Sequence, residues 1–228
     1  MRLRINVVGT GYLGATHAAC MAELGYDVIG LDVDEAKVAA LASGRAPFYE
    51  PGLDELLASN INAGRLRFTT DPAEAAKFAD IHFICVGTPQ RADGNGADLK
   101  YVDAAVEALL PHLTRDDIVV GKSTVPVGTA AAVERRLTEV CPGIELAWNP
   151  EFLREGFAIE DTLRPDRLVV GVHTERAEKA MREVYAPLVD AGVPLVVTDF
   201  ATSELVKVAA NSFLATKISF INAMAEVC

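Results

Sequence analysis

The hexapeptide Gly9-Thr10-Gly11-Tyr12-Leu13-Gly14 limits what this chain can fold into more than any other feature. It follows an apolar run at residues 3–8 and opens a helical pattern over residues 12–24. In such a strand–turn–helix, the first glycine permits the tight turn and the second lets the backbone approach a pyrophosphate. The third allows the helix to pack closely on the strand, and the helix N-terminus offers free N–H groups to the anion. A second strand pattern ends at Asp32, twenty-three residues after Gly9. That spacing suits an acidic residue accepting the adenosine ribose hydroxyls. A carboxylate there repels the extra phosphate of NADP and favours NAD, whereas Lys37 is a nearby cation that could approach such a phosphate. Residues 3–32 therefore predict a dinucleotide-binding βαβ unit, in preference to a bare glycine turn with Asp32 capping the next helix.

The remaining pattern extends this unit. The strand patterns at residues 27–31, 66–68, 81–86, 118–121 and 144–147 are mostly continuous apolar runs rather than alternating ones, as a sheet covered on both faces requires. Helical patterns at 12–24, 35–42, 53–58, 73–78, 100–112 and 128–140 lie between them. The order predicts an α/β fold, a Rossmann-like doubly wound and mainly parallel sheet with right-handed crossovers. After about Asn149 come a turn-rich segment, a strand at 168–172, a helix at 175–188 and a strand at 195–198. A long helix then runs from Thr202 to about Val227, with Asp199 or Thr202 as its N-cap.

The formal charge of −11 offers no basic surplus for displacing phosphate counterions, which argues against a nucleic-acid partner. No apolar run approaches the ~20 residues of a membrane-spanning helix. The N-terminal Met1-Arg2-Leu3-Arg4 lacks the apolar stretch of a leader, so a cytoplasmic protein is expected. Cys20, Cys85, Cys141 and Cys228 show no metal-ligand spacing, so no metal site is expected; Cys20 and Cys85, in apolar runs, read as small buried hydrophobes.

Ligands of a doubly wound sheet sit beyond the carboxyl ends of its strands. The segments found there are Gly87-Thr88-Pro89, Lys122 to Gly128, and Trp148 to Gly156. Each combines small or hydroxyl residues with a proline-fixed turn, and the third adds Glu151 and Glu155. The long helix carries Lys207 and Asn211, one turn apart on one face. Leu205, Val206, Val208, Ala209, Ala210, Phe213 and Leu214 leave Lys207 little polar surface. It therefore needs an acceptor, which a substrate oxygen or Glu151 could supply.

These segments resemble the UDP-glucose 6-dehydrogenases, within the UDP-glucose/GDP-mannose dehydrogenase superfamily. The motifs carrying the resemblance are the glycine hexapeptide, Val86-Gly87-Thr88-Pro89, Ser123-Thr124-Val125-Pro126-Val127-Gly128, Asn149 to Gly156, and Lys207 to Phe220. Arg164-Pro165-Asp166-Arg167 leans toward the UDP-glucose branch. The resemblance implies oxidation of a sugar 6-hydroxyl to a carboxylate through a cysteine thioester, with two NAD reduced per substrate. It places Thr124, Glu151, Lys207 and Asn211 around the reacting carbon. Lys207 would stabilise oxyanions, Asn211 would donate a hydrogen bond, and Thr124 with Glu151 would hold a water. It also places Phe152 and Leu153 against the substrate through their backbone. Thr88, Ser123 and Glu155 would line the NAD site, along with Gly9, Gly11, Tyr12, Leu13, Gly14, Asp32, Lys37, Val86, Gly87 and Thr124.

The family's Gly-x-Cys-Phe-Pro-Lys-Asp type segment is not in this sequence, and Cys228, on the helix, is not expected to replace it. The expected organisation is an NAD-binding domain over residues 1–200 and a connecting, dimerising helix over 201–228. The UDP-sugar domain would lie outside the chain, which alone is expected to be inactive. Alternatives are a sibling specificity, UDP-N-acetylmannosamine or GDP-mannose, or a non-catalytic NAD-binding or dimerisation module.

Overall fold

The computed structural model describes residues 3–228; Met1 and Arg2, used above in arguing against a leader, lie outside them. The first βαβ unit is β1 (Arg4–Val8), α1 (Tyr12–Glu23) and β2 (Asp27–Leu31). It is followed by α2 (Glu35–Ala42), α3 (Leu53–Asn62), β3 (Leu66–Thr69), α4 (Pro72–Phe78) and β4 (Ile81–Ile84). Then come α5 (Lys100–Leu109), β5 (Ile118–Gly121), α6 (Thr129–Val140), β6 (Glu145–Trp148) and α7 (Ala158–Leu163). The last elements are β7 (Leu168–Val172), α8 (Glu175–Val184), α9 (Ala186–Asp190), β8 (Leu195–Thr198) and α10 (Phe200–Val227).

The sheet order is β3-β2-β1-β4-β5-β6-β7-β8, the doubly wound arrangement the sequence predicts. Strands β1 to β6 are parallel, β7 runs antiparallel to β6, and β8 is parallel to β7. Successive side chains leave a strand on opposite faces. Thus Ile5, Val7, Val28, Phe83, Val120 and Ala147 join a core with α1, α3 and α8. Val8, Ile29, Leu31, Ile84, Val119 and Leu146 join a second core with α5 and α6. Burial on both faces explains why these strands read as unbroken apolar runs.

Local sequence explains most departures from the expected elements. The helix expected over 175–188 breaks at Tyr185, because Pro187 cannot continue the ladder of α8 and begins a new helix. Pro111 likewise turns the end of the 100–112 pattern into a single 3-10 turn. Helix α7 falls in the segment read as turns. Only six residues long, it has Phe157 at its N-cap and no capping side chain there.

The reversal at β7 sends β8 back to the amino edge of the sheet, so α10 must climb toward the carboxyl edge. It begins with Asp199, whose carboxylate accepts from Thr202 N at 2.7 Å. It crosses β7 at Gly171, where an added Cβ would lie 2.3 Å from Ser203 Oγ and 2.7 Å from Asp199 O. Only glycine allows so close a crossing. The apolar flanks of Lys207 suggest a buried helix, yet burial ends there: residues 211–228 are all exposed.

Candidate active site at the carboxyl ends of the strands

The glycine turn has the geometry its sequence requires. Gly9 adopts φ +85°, and a Cβ on Gly14 would sit 1.8 Å from Gly9 O, so helix and turn fit only without side chains at both positions. A Cβ on Gly11 would meet nothing within 4 Å, which leaves the first turn of α1 open on that side. Gly11, at the N-cap, supplies no side-chain cap, so the helix N–H groups are available to an anion. Leu13 packs its side chain against the core and contributes only backbone here.

Asp32 follows β2 directly and stands beside the glycine turn. Its Oδ2 accepts from Thr10 N at 2.7 Å, Thr10 Oγ1 at 3.1 Å and Lys37 Nζ at 2.9 Å, while Oδ1 accepts from Asp34 N at 3.1 Å. Burial pushes this carboxyl up, but the Lys37 and backbone hydrogen bonds outweigh it and hold it below the usual range. Lys37 is thus engaged by the very carboxylate that would select the ribose. A groove of about 370 Å³ brings together Gly9, Gly11, Asp32, Lys37, Val86 and Gly87. These residues fit a dinucleotide: an open helix N-terminus, a glycine turn a Cβ would fill, and a buried carboxylate at the end of β2.

The loops after β4 and β5 are tied to each other. Ser123 Oγ donates to Val86 O at 2.7 Å, and Thr88 Oγ1 donates to Thr124 O at 2.6 Å. The Ser123 and Thr88 hydroxyls therefore shape the loops, while the Thr124 side chain makes no hydrogen bond among the described residues.

Lys207 and Glu151 meet as the sequence suggested. Lys207 Nζ lies 2.9 Å from Glu151 Oε1, and Leu153 N donates to Glu151 Oε2 at 2.6 Å. Lys207 is only 6 % exposed and its ammonium lies 5.4 Å from the centre of the Phe152 ring. Ion pair, backbone donor and ring together hold the buried Lys207 ammonium against the Glu151 loop. Glu151, Phe152 and Leu153 line a cavity of about 540 Å³ with His17, Lys122 and Arg167. Asn211 and Glu155 are exposed, and their side chains make no hydrogen bond among the described residues.

The sequence places Asn149 and Lys122 in the strand-end segments without assigning them a role, while Glu204, Tyr185 and Glu50 lie outside those segments. Asn149 is fixed before Glu151: its Nδ2 donates to Val169 O at 2.9 Å, and its Oδ1 accepts from Lys122 Nζ at 3.0 Å and from the Tyr185 hydroxyl. Burial pulls the Lys122 ammonium below its usual range and pushes the Tyr185 hydroxyl up. Glu204, 1 % exposed, accepts from Gly128 N and Ala130 N, both at 2.7 Å, and so caps α6 from α10. An acid in an apolar helix start, three residues before Lys207, was the available signal. Tyr185 and Glu50 gave none. The buried His17 ring meets Phe83 edge-on at 4.6 Å, and neither nitrogen has a hydrogen-bond partner among the described residues. Burial drives its pKa well below the usual value, so it is neutral.

The cysteines divide by exposure. Cys20 and Cys85 are buried as the sequence predicts, and burial pushes both thiols up to about 12. Cys228 ends α10, roughly 30 Å along the helix from Lys207 at 1.5 Å per residue. Among the described residues, no cluster of His, Cys, Asp and Glu could hold a metal, and no helix is long and apolar enough to cross a membrane.

Known proteins are similar to this chain over nearly its whole length. Residues 3–189 match the UDP-glucose/GDP-mannose dehydrogenase family, NAD binding domain, and residues 201–228 match that family's central domain. The chain is 49 % identical to the UDP-glucose 6-dehydrogenase of Rhizobium meliloti, covering 99 % of this chain and 53 % of that protein. A UDP-glucose dehydrogenase structure from Pyrobaculum islandicum superposes with a TM-score of 0.90 at 42 % identity, over 98 % of this chain and 52 % of that one. A GDP-mannose dehydrogenase structure from Pseudomonas aeruginosa gives the same TM-score, 0.90, at 32 % identity, over 97 % and 52 %. The chain thus spans about half the length of the relatives it matches. With nearly the whole chain, residues 3–189 and 201–228, matched in order, the chain belongs to the UDP-glucose/GDP-mannose dehydrogenase family.

Proposed function

We propose that this chain supplies the NAD site and part of the catalytic site of an enzyme that oxidises UDP-glucose at the sugar C6 to the glucuronate. The observation that carries the reading is the buried pair of Lys207 and Glu151, 2.9 Å apart at the edge where the strand-end loops converge. A surface lysine would not be 6 % exposed and held by a carboxylate whose other oxygen is fixed by Leu153 N. Identity to UDP-glucose 6-dehydrogenases over nearly the whole chain supports this nucleotide sugar over its siblings.

Gly9, Gly11 and Gly14, with the backbone of Tyr12 and Leu13, would take the pyrophosphate; Asp32 and Lys37 would take the ribose. Val86, Gly87, Thr88, Ser123, Thr124 and Glu155 would line the remainder. When bound, NAD supplies the acceptor for the hydride leaving C6. Lys207 Nζ is the fixed donor that would meet negative charge as it develops on the sugar O6, and Glu151 balances the ammonium between turnovers. Asn211 would add a hydrogen bond, and Thr124 with Glu151 would hold a water to carry the proton away. Phe152 and Leu153 would bear on the sugar through their backbone. The thioester route needs a thiol at this site. Cys20 and Cys85 are buried, and Cys228 sits far along α10.

The division at about residue 200 and a homodimer through residues 201–228 form part of the proposal. Phe213, Leu214, Ile218, Phe220, Ile221 and Met224 are exposed on α10, an apolar stripe that a second copy would cover. The reading is tested with Lys207→Ala in the intact enzyme: turnover should fall by at least a hundredfold, while NADH affinity changes far less. Equal losses would make Lys207 structural. The purified 228-residue chain should bind NADH yet form no UDP-glucuronate, and release of that product would overturn the division of labour proposed here.

A further inference from the structure

Glu50 belongs to none of the motifs described above, yet it is 6 % exposed and its carboxylate collects four donors. Its Oε1 accepts from Ala158 N at 2.8 Å and Ile159 N at 3.4 Å. Its Oε2 accepts from Gly156 N at 2.9 Å and from the Tyr12 hydroxyl through a short hydrogen bond. Gly156 N also reaches the Tyr12 hydroxyl oxygen at 3.0 Å. No cation is among these partners, so backbone dipoles and one hydroxyl alone hold the buried charge. Burying a carboxylate this way is costly unless every lone pair is used, which makes the arrangement sensitive to losing any one donor.

The two ends of this bridge differ in kind. Tyr12 lies in the glycine hexapeptide, at the start of the helix whose N–H groups face the pyrophosphate site, and its ring rests on Phe48 with centroids 5.3 Å apart. Gly156 ends the loop that carries Glu151, Phe152, Leu153 and Glu155, and it sits at φ +83°. Helix α7, whose first N–H groups at Ala158 and Ile159 donate to Glu50, continues from that loop. We propose that Glu50 is a positioning residue that couples the phosphate-binding turn to the Glu151 loop, so that occupancy of the dinucleotide site orders the loop. The inference rests on the NAD reading above. Because such coupling is reciprocal, whatever orders the loop tightens the dinucleotide by the same factor.

The test is amide hydrogen exchange over residues 151–159, with and without saturating NADH, in the wild-type protein, Tyr12→Phe and Glu50→Gln. NADH affinity is read in parallel by fluorescence. NADH should slow exchange of the wild-type loop by on the order of tenfold. Both variants should lose that protection and bind NADH more weakly by the same factor. The double variant should be no worse than either single one, because all break one link. Tyr12→Phe removes only a hydroxyl and keeps the test valid if Glu50→Gln folds poorly. Loop protection that persists in Tyr12→Phe would overturn the coupling and reduce Glu50 to a cap on α7, with the NAD reading intact. A wild-type protein that does not bind NADH would overturn the NAD reading and the coupling with it.

Discussion

Removing Glu204 should cost more stability than removing any surface carboxylate of α10, and the structure sets the size. Helix α6 starts at Gly128, at φ +99° and with no side chain to cap it. The cap comes instead from Glu204, through 2.7 Å bonds to Gly128 N and Ala130 N. Hydrogen bonds to a charged group contribute about 1.5–3 kcal/mol each, but these two share one carboxylate and do not simply add. Losing a helix cap costs about 1 kcal/mol by itself. Glu204→Ala, which also leaves the buried Ala130 N–H without its acceptor, should therefore destabilise by about 3 kcal/mol. Glu204→Gln keeps one carbonyl acceptor and should cost about half as much. In a protein of this size the alanine variant should melt about 6–12 °C lower. Urea unfolding followed by circular dichroism measures both variants, with Glu226→Ala, exposed on the same helix, as the control expected within about 0.5 kcal/mol of wild type. If Glu204→Ala unfolds within that same margin, the carboxylate is not the cap of α6, and the tie between α10 and the Ser123–Gly128 loop fails with it.

Two further outcomes follow from charges in and beside the site. His17 is neutral when folded because burial holds its pKa well below the unfolded value near 6.5. The unfolded chain therefore takes up a proton below that pH which the folded one refuses. Stability is intact above it and falls by up to about 1.4 kcal/mol per pH unit as pH drops further. Replacing His17 with Leu should flatten the pH dependence measured by urea unfolding between pH 7 and 5; an unchanged slope would refute the assignment. Asp32→Ala should weaken NADH by roughly ten- to a hundredfold, the loss of one hydrogen bond to a charged group. It also releases Lys37, now 2.9 Å from Asp32, to meet a 2′-phosphate. NADPH should lose less affinity than NADH in parallel titrations, and an unchanged ratio would remove Asp32 as the selector.

The parts of this molecule legible in its sequence are those with a local cause. Strands β2, β5 and β7 have the bounds their apolar runs predict, because burial on both faces leaves a continuous signal; β8 also has its predicted bounds, though it is a half-exposed edge strand. The glycine turn was legible because steric demand fixes residue type at Gly9 and Gly14. The pairing of Lys207 with Glu151 followed from a lysine too apolar in its surroundings to be solvated. Strand direction was not legible: nothing in the β7 run says that it reverses, since periodicity is the same either way. Helix α7 was hidden because its cap, Glu50, stands 108 residues before Ala158. Glu204 and Tyr185 also act across long gaps, at 74 residues to Ala130 and 36 to Asn149. A polar side chain reads as functional when its own neighbours in sequence deny it solvent, as at Lys207, and passes unnoticed when only a distant partner gives it a role, as at Glu50.

The climb of α10 across β7 also has a mechanical meaning. Its first turns are clamped by Gly171, Glu204 and Lys207, and the described helix runs some 30 Å beyond Lys207 at 1.5 Å per residue, exposed from residue 211 onward. A rod held at one end turns small angles into large displacements. Bending by about 10° where it leaves the clamp would swing the far end by about 5 Å over that length. Read in the other direction, a load borne by the exposed part of the helix sets the tilt of the clamped turns. The 2.9 Å separation of Lys207 and Glu151 is then the point at which a distant restraint is felt.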